Sequence, residues 1–333
     1  MITDLRALED AYVPRDLYHR EGQINQMTTA LDPLLHDHPG DDIFVFGPSG
    51  AGKTTTARYV LRQLNHEASI RWGYVNCISD SGKSAVLHRL LRDAELAPDL
   101  RQDGTAPSRF LNRLRQRDEQ FVAVLDEVDV LADQDVLMSL YEIPNVTLVL
   151  VTLDEDDFFA RLNGRLQSRL RGAVRVELRP YGHSEMVDIL RSRVKAGLRP
   201  GVVHDDVLDH IADLATGDAR YAIALLRRAA RYVESGERRY VTLEIVDSVV
   251  GEARDAINEQ RVADLSTEKR ILFELVAQAG PISASDLRAR YKQQRDDPVA
   301  SRTRRKYLRA LEEHYALIAS SGQGRGKVFY SNV

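Results

Sequence analysis

Two apolar periods alternate along the first half of the chain. Short, continuous apolar runs at Ile43-Phe44-Val45-Phe46, residues 72–76, Phe121-Val122-Ala123-Val124-Leu125 and residues 145–150 predict buried strands, being too brief for helices. Between them apolar residues recur at helical spacing: Ile24, Met27, Leu31 and Leu34; Ala57, Val60, Leu61 and Leu64; Val86, Leu87, Leu90 and Leu91. A further helix is predicted over 108–115, with Ser108 as its cap. Val174-Arg175-Val176-Glu177-Leu178 alternates apolar and charged residues, which predicts a strand at an edge or with one wet face. Strands alternating with helices in this order predict an α/β fold, a parallel sheet covered on both faces.

After residue 183 the strands stop. Helical segments are predicted over 184–196, 204–215, 218–234 and 242–257, with stripes such as Val207, Ile211 and Leu214. They compose a small helical domain, and the polar stretch 258–265 reads as a linker. The last segment changes again. Helices are predicted over 269–279, 284–292 with Ser283 as cap, and 301–317, followed by a hairpin whose tip is Ser321-Gly322-Gln323-Gly324-Arg325-Gly326. Three helices and a hairpin make a winged helix. The expected domains are therefore 1–182, 183–262 and 263–333.

The length of 333 residues fits that division. The single cysteine, Cys77, excludes an intramolecular disulfide and fits a reducing compartment. No apolar run reaches signal or membrane-span length, so a cytoplasmic protein without a membrane partner is expected. Charge is unevenly spread. Residues 266–333 hold 13 Lys and Arg against 7 Asp and Glu, so in a chain of net charge −4 the remainder carries −10. An acidic body with a basic end is the asymmetry expected where only the last domain meets a polyanion.

Candidate chemistry begins at Gly47-Pro48-Ser49-Gly50-Ala51-Gly52-Lys53-Thr54, between a strand and a helix. This is the G-x-x-x-x-G-K-[ST] pattern in the context that makes it a phosphate site. The glycines let main-chain N–H groups converge on phosphate oxygens at a helix start, Lys53 neutralises the β- and γ-phosphates, and Thr54 is a Mg²⁺ ligand. The strand 121–125 delivers Asp126 and Glu127 at its C-terminal tip, where open α/β sheets bind ligands. Asp126 suits Mg²⁺ coordination, and Glu127 is placed to polarise a water for attack on the γ-phosphate.

In the third helix of the last domain, Tyr307, Leu308, Leu311 and Tyr315 share one face and predict core. Arg302, Arg305, Lys306 and Arg309 share another, and with Arg304 and the wing residues Arg325 and Lys327 they are candidate DNA contacts.

With these residues in order, the chain resembles the archaeal origin-recognition initiators of the AAA+ ATPase class. The resemblance runs from Val13-Pro14 and His19-Arg20-Glu21 through the phosphate loop, Val124-Leu125-Asp126-Glu127-Val128-Asp129 and Gly217-Asp218-Ala219-Arg220 to the wing. It implies an AAA+ core with a helical lid and a winged helix, ATP or ADP with Mg²⁺, and binding of duplex origin DNA. It also implies recruitment of a replicative helicase of the minichromosome maintenance type and association with other initiator copies. Val13 and Pro14 would line the adenine pocket, Thr55 would follow the loop, Tyr181 and Arg193 match nucleotide-contact positions, and Arg220 matches the lid sensor of the γ-phosphate. Arg165 and Arg169 lie where the family carries a candidate arginine finger, and Lys83, Arg89 and Arg92 lie in the place of its extra DNA-contacting helix. The family's Asn after the fourth strand is missing from Val151-Thr152-Leu153-Asp154-Glu155. Thr152 or Asp154 stands in its place, and slow hydrolysis that serves as a switch is expected. A clamp-loader or transposition-type ATPase and an ATP-sensing transcription regulator are the alternatives.

Overall fold

Five parallel strands form the sheet of the first compact unit, Met1–Val249. The computed structural model describes the chain except for residues 69, 154, 237, 264, 266, 296, 297 and 323–325, and except for the side chains of 68, 157, 161, 260, 306, 313 and 314. A 3-10 turn, Leu5–Leu8, precedes α1 (Glu21–Leu31), which runs through a second such turn into β1 (Ile43–Phe46). Then follow α2 (Lys53–Ala68), β2 (Arg71–Asn76), α3 (Lys83–Asp93), α4 (Pro107–Arg115), β3 (Phe121–Asp126), α5 (Asp135–Tyr141), β4 (Val146–Thr152), α6 (Glu155–Arg161), α7 (Gly164–Leu170) and β5 (Val174–Glu177).

The strand order is β2-β3-β4-β1-β5, with every pair parallel, so β5 is an edge as its alternation predicts. Val176 is buried while Arg175 and Glu177 are exposed. The two-residue period of the pleat splits the central strands between two cores. Phe121, Ala123 and Leu125 pack with Leu87, Leu90, Phe110 and Leu114 of α3 and α4. Val122 and Val124 pack with Val60 and Leu61 of α2 and with Met27 and Leu31 of α1. Each fully buried Leu or Phe contributes about 1.5–3 kcal/mol relative to exposure.

The helix α4 begins one residue before the position read from sequence, and Ser108 is not its cap. Ala106 stands at that position without a side-chain bond, and Pro107 opens the helix, where its fixed φ is already helical and its missing N–H is no loss. The short helices α5, α6 and α7 were not legible, because seven residues give barely two turns of period.

The lid comprises α8 (His183–Gly197), α9 (Asp205–Ala215), α10 (Ala219–Ser235) and α11 (Leu243–Ala263). The first unit holds the sheet and most of this lid, and the division between units falls inside α11, which runs on through most of the stretch read as a linker. The second unit, Val250–Val333, carries α12 (Thr267–Ala279), β6 (Ile282–Ser283), α13 (Ala284–Gln294), α14 (Ser301–Arg309) with a π turn at Ala310–His314, β7 (Ile318–Ser321) and β8 (Val328–Ser331). Its antiparallel sheet has the order β6-β8-β7. Ser283 caps α13 by accepting from the Asp286 amide at 3.1 Å, and Leu272, Leu287, Tyr291, Leu311 and Phe329 fill the core. These elements form a winged helix. Among the described residues, no helix is long and apolar enough to cross a membrane.

Candidate nucleotide-binding site

The phosphate loop leaves β1 and enters α2 through three left-handed glycines: Gly47 (φ 143°), Gly50 (φ 73°) and Gly52 (φ 88°). At Gly47 a Cβ would lie 2.0 Å from the Leu178 carbonyl oxygen, a backbone atom, so space as well as φ demands glycine. Pro48, Ser49 and the buried Ala51 complete the loop, and Thr55 follows Thr54 in the first turn of α2. Lys53 opens that helix and is 6% exposed; its ammonium donates to the carbonyls of Gly47 at 2.8 Å and Pro48 at 2.9 Å. Burial pushes its pKa down, and the charges of Glu127 and Asp126 oppose the shift. The cation thus stands beside the loop, held by groups that phosphate oxygens can replace.

Asp126, 3% exposed at the tip of β3, takes three donors. Thr54 Oγ1 and the Tyr74 hydroxyl donate to its Oδ2 at 2.6 and 2.8 Å, and the Glu127 amide donates to its Oδ1 at 3.0 Å. Burial and the neighbouring Glu127 raise its pKa, and the hydrogen bonds from Thr54 and Tyr74 work against that rise. Thr54 and Asp126 bring two hard oxygens to one place. Mg²⁺ takes one or two carboxylates plus substrate phosphates and waters, so this donor set fits it. Glu127 adopts a left-handed conformation, φ 54°, strained for a residue with a side chain. Thr152, fully buried at the end of β4, donates to Asp129 Oδ1 at 3.2 Å, and Asp154 lies outside the described residues.

The lid meets this loop directly. The Ala219 amide donates to the Gly50 carbonyl at 3.2 Å, and the Tyr181 amide to the Gly217 carbonyl at 3.3 Å. Asp218 caps α10 by accepting from the Tyr221 amide at 3.1 Å. Arg220, next along, is 39% exposed and pairs with Asp10 at 3.2 Å. Burial alone would lower its pKa, but Asp10, Glu127, Asp218 and Asp126 together raise it, so this lid arginine stands within the field of the site's carboxylates.

A residue without a role in the sequence reading holds the arrangement together. Arg20 is 4% exposed and donates to the Ala51 carbonyl from Nε at 3.3 Å and from Nη2 at 3.0 Å. It also reaches the Arg179 carbonyl at 2.8 Å and lies 3.7 Å over the Tyr181 ring. One guanidinium thus ties the entry to α1, the phosphate loop and the exit of β5. Its only signal in the sequence was an arginine at the threshold of a helix, which the motif His19-Arg20-Glu21 contained without explaining.

Arg193, 6% exposed, directs its donors to the carbonyls of Ala7 at 2.9 Å, Glu9 at 3.1 Å and Tyr12 at 3.1 Å. It anchors the segment that leads into Val13 and Pro14, both half-buried. Arg165 is exposed and bonds Glu142 at 3.3 Å, and Arg169 stacks on Tyr141 at 5.3 Å. On α3, Arg89 and Arg92 are exposed and Lys83 is half-buried.

In the second unit Arg302, Arg305 and Arg309 are exposed on α14. Arg304 departs from the expected basic surface: it is 7% exposed, bonds Ser301 at 3.4 Å and lies 6.0 Å from the Tyr291 ring centroid. The reason is periodicity, because Arg304 precedes Leu308 and Leu311 by four and seven positions and shares their inward face. Lys327 is half-buried and pairs with Glu312 at 3.2 Å. The Lys306 side chain and Arg325 lie outside the described residues.

Comparison with known proteins agrees with this geometry. Residues 16–151 match the family described as AAA ATPase domain, and residues 187–254 match the Cdc6 AAA+ ATPase-type lid domain. ORC1-type DNA replication protein 1 of Halobacterium salinarum is 36% identical over 304 residues, covering 91% of this chain and 99% of its own. ORC1-type DNA replication protein 9 of the same organism is 34% identical over 331 residues, covering 99% and 93%. The Aeropyrum pernix ORC1 protein, solved in complex with DNA, has a TM-score of 0.77 and 26% identity over 100% of this chain and 94% of its own. Sheet, phosphate loop and lid therefore define a protein of the AAA+ ATPase class. The chain belongs to the family of ORC1-type DNA replication proteins.

Proposed function

We propose that this chain initiates DNA replication by binding duplex origin DNA through its winged helix and that its bound nucleotide switches that activity. The observation that carries the reading is the exposed arginine face of α14, in a chain whose full length aligns with replication proteins. Arg302, Arg305 and Arg309 meet phosphates or base edges, helped by Lys327 and by Arg325 at the wing. Such contacts make affinity fall steeply with salt.

In the nucleotide site Thr54 and Asp126 would hold Mg²⁺, Lys53 would neutralise phosphate charge, and Glu127 would orient the attacking water. Val13, Pro14, Tyr181 and Arg193 shape the base side of the pocket, and Arg220 reports the γ-phosphate to the lid. Hydrolysis is slow, because Thr152 or Asp154 stands where the family carries a water-orienting Asn, and the Thr152 hydroxyl already donates to Asp129. The ATP-bound form recruits the replicative helicase, and Arg165 or Arg169 completes the site of a second copy.

Footprinting on candidate origin DNA, with and without ATP, tests the reading. A bounded protected site whose extent or affinity depends on ATP is expected; uniform coating, indifferent to nucleotide, overturns it.

A further inference from the structure

The edge strand β2 reaches into the nucleotide site at one point. Its register pairs Asn76 with Asp126 and Tyr74 with Val124. Alternation along β2 turns Trp72 and Tyr74 toward the α2 face, the face on which Val122 and Val124 also pack. Tyr74 is thus the diagonal neighbour of Asp126, and its ring is long enough to span the gap. Its hydroxyl donates to Asp126 Oδ2 at 2.8 Å. On the other side of the ring stands Arg58, whose guanidinium carbon lies 3.8 Å from the ring centroid. Arg58 follows Thr54 by one helical turn, so both share one face of α2. Helix α2 therefore grips Asp126 twice: directly through Thr54, and indirectly through Arg58 and Tyr74.

This geometry decides how the carboxylate presents itself. An ionised aspartate has about four lone-pair sites. Thr54 and Tyr74 occupy those of Oδ2, and the Glu127 amide takes one on Oδ1. Among the described residues, one site remains, on Oδ1. In the reading proposed above Thr54 is itself a cation ligand, at the loop's entry into α2, which leaves Tyr74, on β2, as the side-chain donor that orients Asp126 without binding the cation.

We infer that Tyr74, clamped by Arg58, is a positioning residue that aims the Asp126 carboxylate at the nucleotide-bound Mg²⁺. The inference rests on the reading of Thr54 and Asp126 as the cation ligands. Outer hydrogen-bond partners of metal ligands typically change metal affinity by about 10–100-fold when removed. Tyr74 acts on the same principle, through an oxygen-to-oxygen bond.

The test uses the full chain and a fluorescent ADP analogue, titrated with Mg²⁺ and, separately, measured in EDTA. Tyr74→Phe keeps the ring and the Arg58 stack and removes only the hydroxyl. It is expected to raise the Mg²⁺ midpoint about 10-fold while nucleotide affinity in EDTA stays within about twofold of wild type. Arg58→Met loosens the ring without removing the hydroxyl and is expected to shift the midpoint by about threefold. A Mg²⁺ midpoint unchanged in Tyr74→Phe overturns the inference, as does equal weakening with and without Mg²⁺, which marks a merely structural role. A wild type whose nucleotide binding ignores Mg²⁺ overturns the ligand reading itself.

Discussion

The amide of Ala219 donates to the carbonyl of Gly50 at 3.2 Å, so the first residue of a lid helix rests on the apex of the phosphate loop. The next residue, Arg220, faces Asp10 and lies in the field of Asp126 and Glu127. A γ-phosphate arriving at the loop would offer this arginine a partner richer in charge than Asp10. Arg220→Ala is expected to weaken binding of a non-hydrolysable triphosphate by about 10–100-fold, the size of a charge-assisted hydrogen bond of about 1.5–3 kcal/mol. Diphosphate affinity should change far less. Equal losses for both nucleotides, measured by calorimetry, would sink the sensor role.

Arg20 makes a second, sharper case. Its removal leaves the Ala51 and Arg179 carbonyls without their guanidinium donors and strips the cation from the Tyr181 face. Arg20→Ala is expected to destabilise the first unit by on the order of 2–4 kcal/mol, since each orphaned buried group costs about 1–3 kcal/mol. Arg20→Lys should recover only part of this, because an ammonium can neither stack as a plane nor fork between two carbonyls. Thermal melts with and without ADP measure both effects.

A pH dependence follows from Asp42, which precedes β1 and accepts from the Leu148 amide at 2.7 Å. Burial pushes its pKa up to about 6, and the Leu148 bond only partly offsets this. Since the folded state holds the proton more tightly than the unfolded one, this group favours folding most below the unfolded value near pH 4. That advantage is lost as pH rises through about 6. Asp42→Asn is therefore expected to be more stable than wild type at pH 7.5, by on the order of 1–3 kcal/mol. The difference should shrink toward pH 4. A stability gap independent of pH would show that Asp42 does not titrate in this way.

The two classes of arginine on α14 separate in the same assay. Arg302→Ala or Arg305→Ala should lower DNA affinity and reduce the salt slope by about one unit each, with the melting of the second unit unchanged. Arg304→Ala should instead lower that melting temperature, because its stem and guanidinium pack beside Tyr291. Filter binding across a salt series, paired with calorimetric melts, distinguishes the two.

Several features were legible because a local period carries them. A run such as Phe121-Val122-Ala123-Val124-Leu125 is too short for a helix and apolar on both faces of a strand, and β3 is buried at every position. The alternation of Val174-Arg175-Val176-Glu177 marked an edge, and β5 has a single neighbour. Arg304 misled because it lies in a basic stretch with Arg302, Arg305 and Lys306, while its distance from Leu308 sets its face. The π turn at Ala310–His314 is likewise invisible to a 3.6-residue pattern.

The phosphate loop was determined by sequence alone, since its glycines, Lys53 and Thr54 lie within one turn of chain and need only a strand before and a helix after. The same holds for Asp126 at a strand tip and for the winged-helix order of elements. What tertiary structure decided is which groups surround those residues. Tyr74 reaches Asp126 because β2 pairs with β3 in one register, and Arg20 reaches Ala51 and Arg179 because α1, the loop and the exit of β5 converge. Ala219 meets Gly50 because the lid folds back on the sheet. Periodicity assigns each side chain to a face, but strand order and register are long-range choices, settled by burying both sides of the sheet at once. For that reason Lys53, Thr54 and Asp126 could be placed from the chain, and Tyr74 and Arg20, which contact Asp126 and the loop, could not.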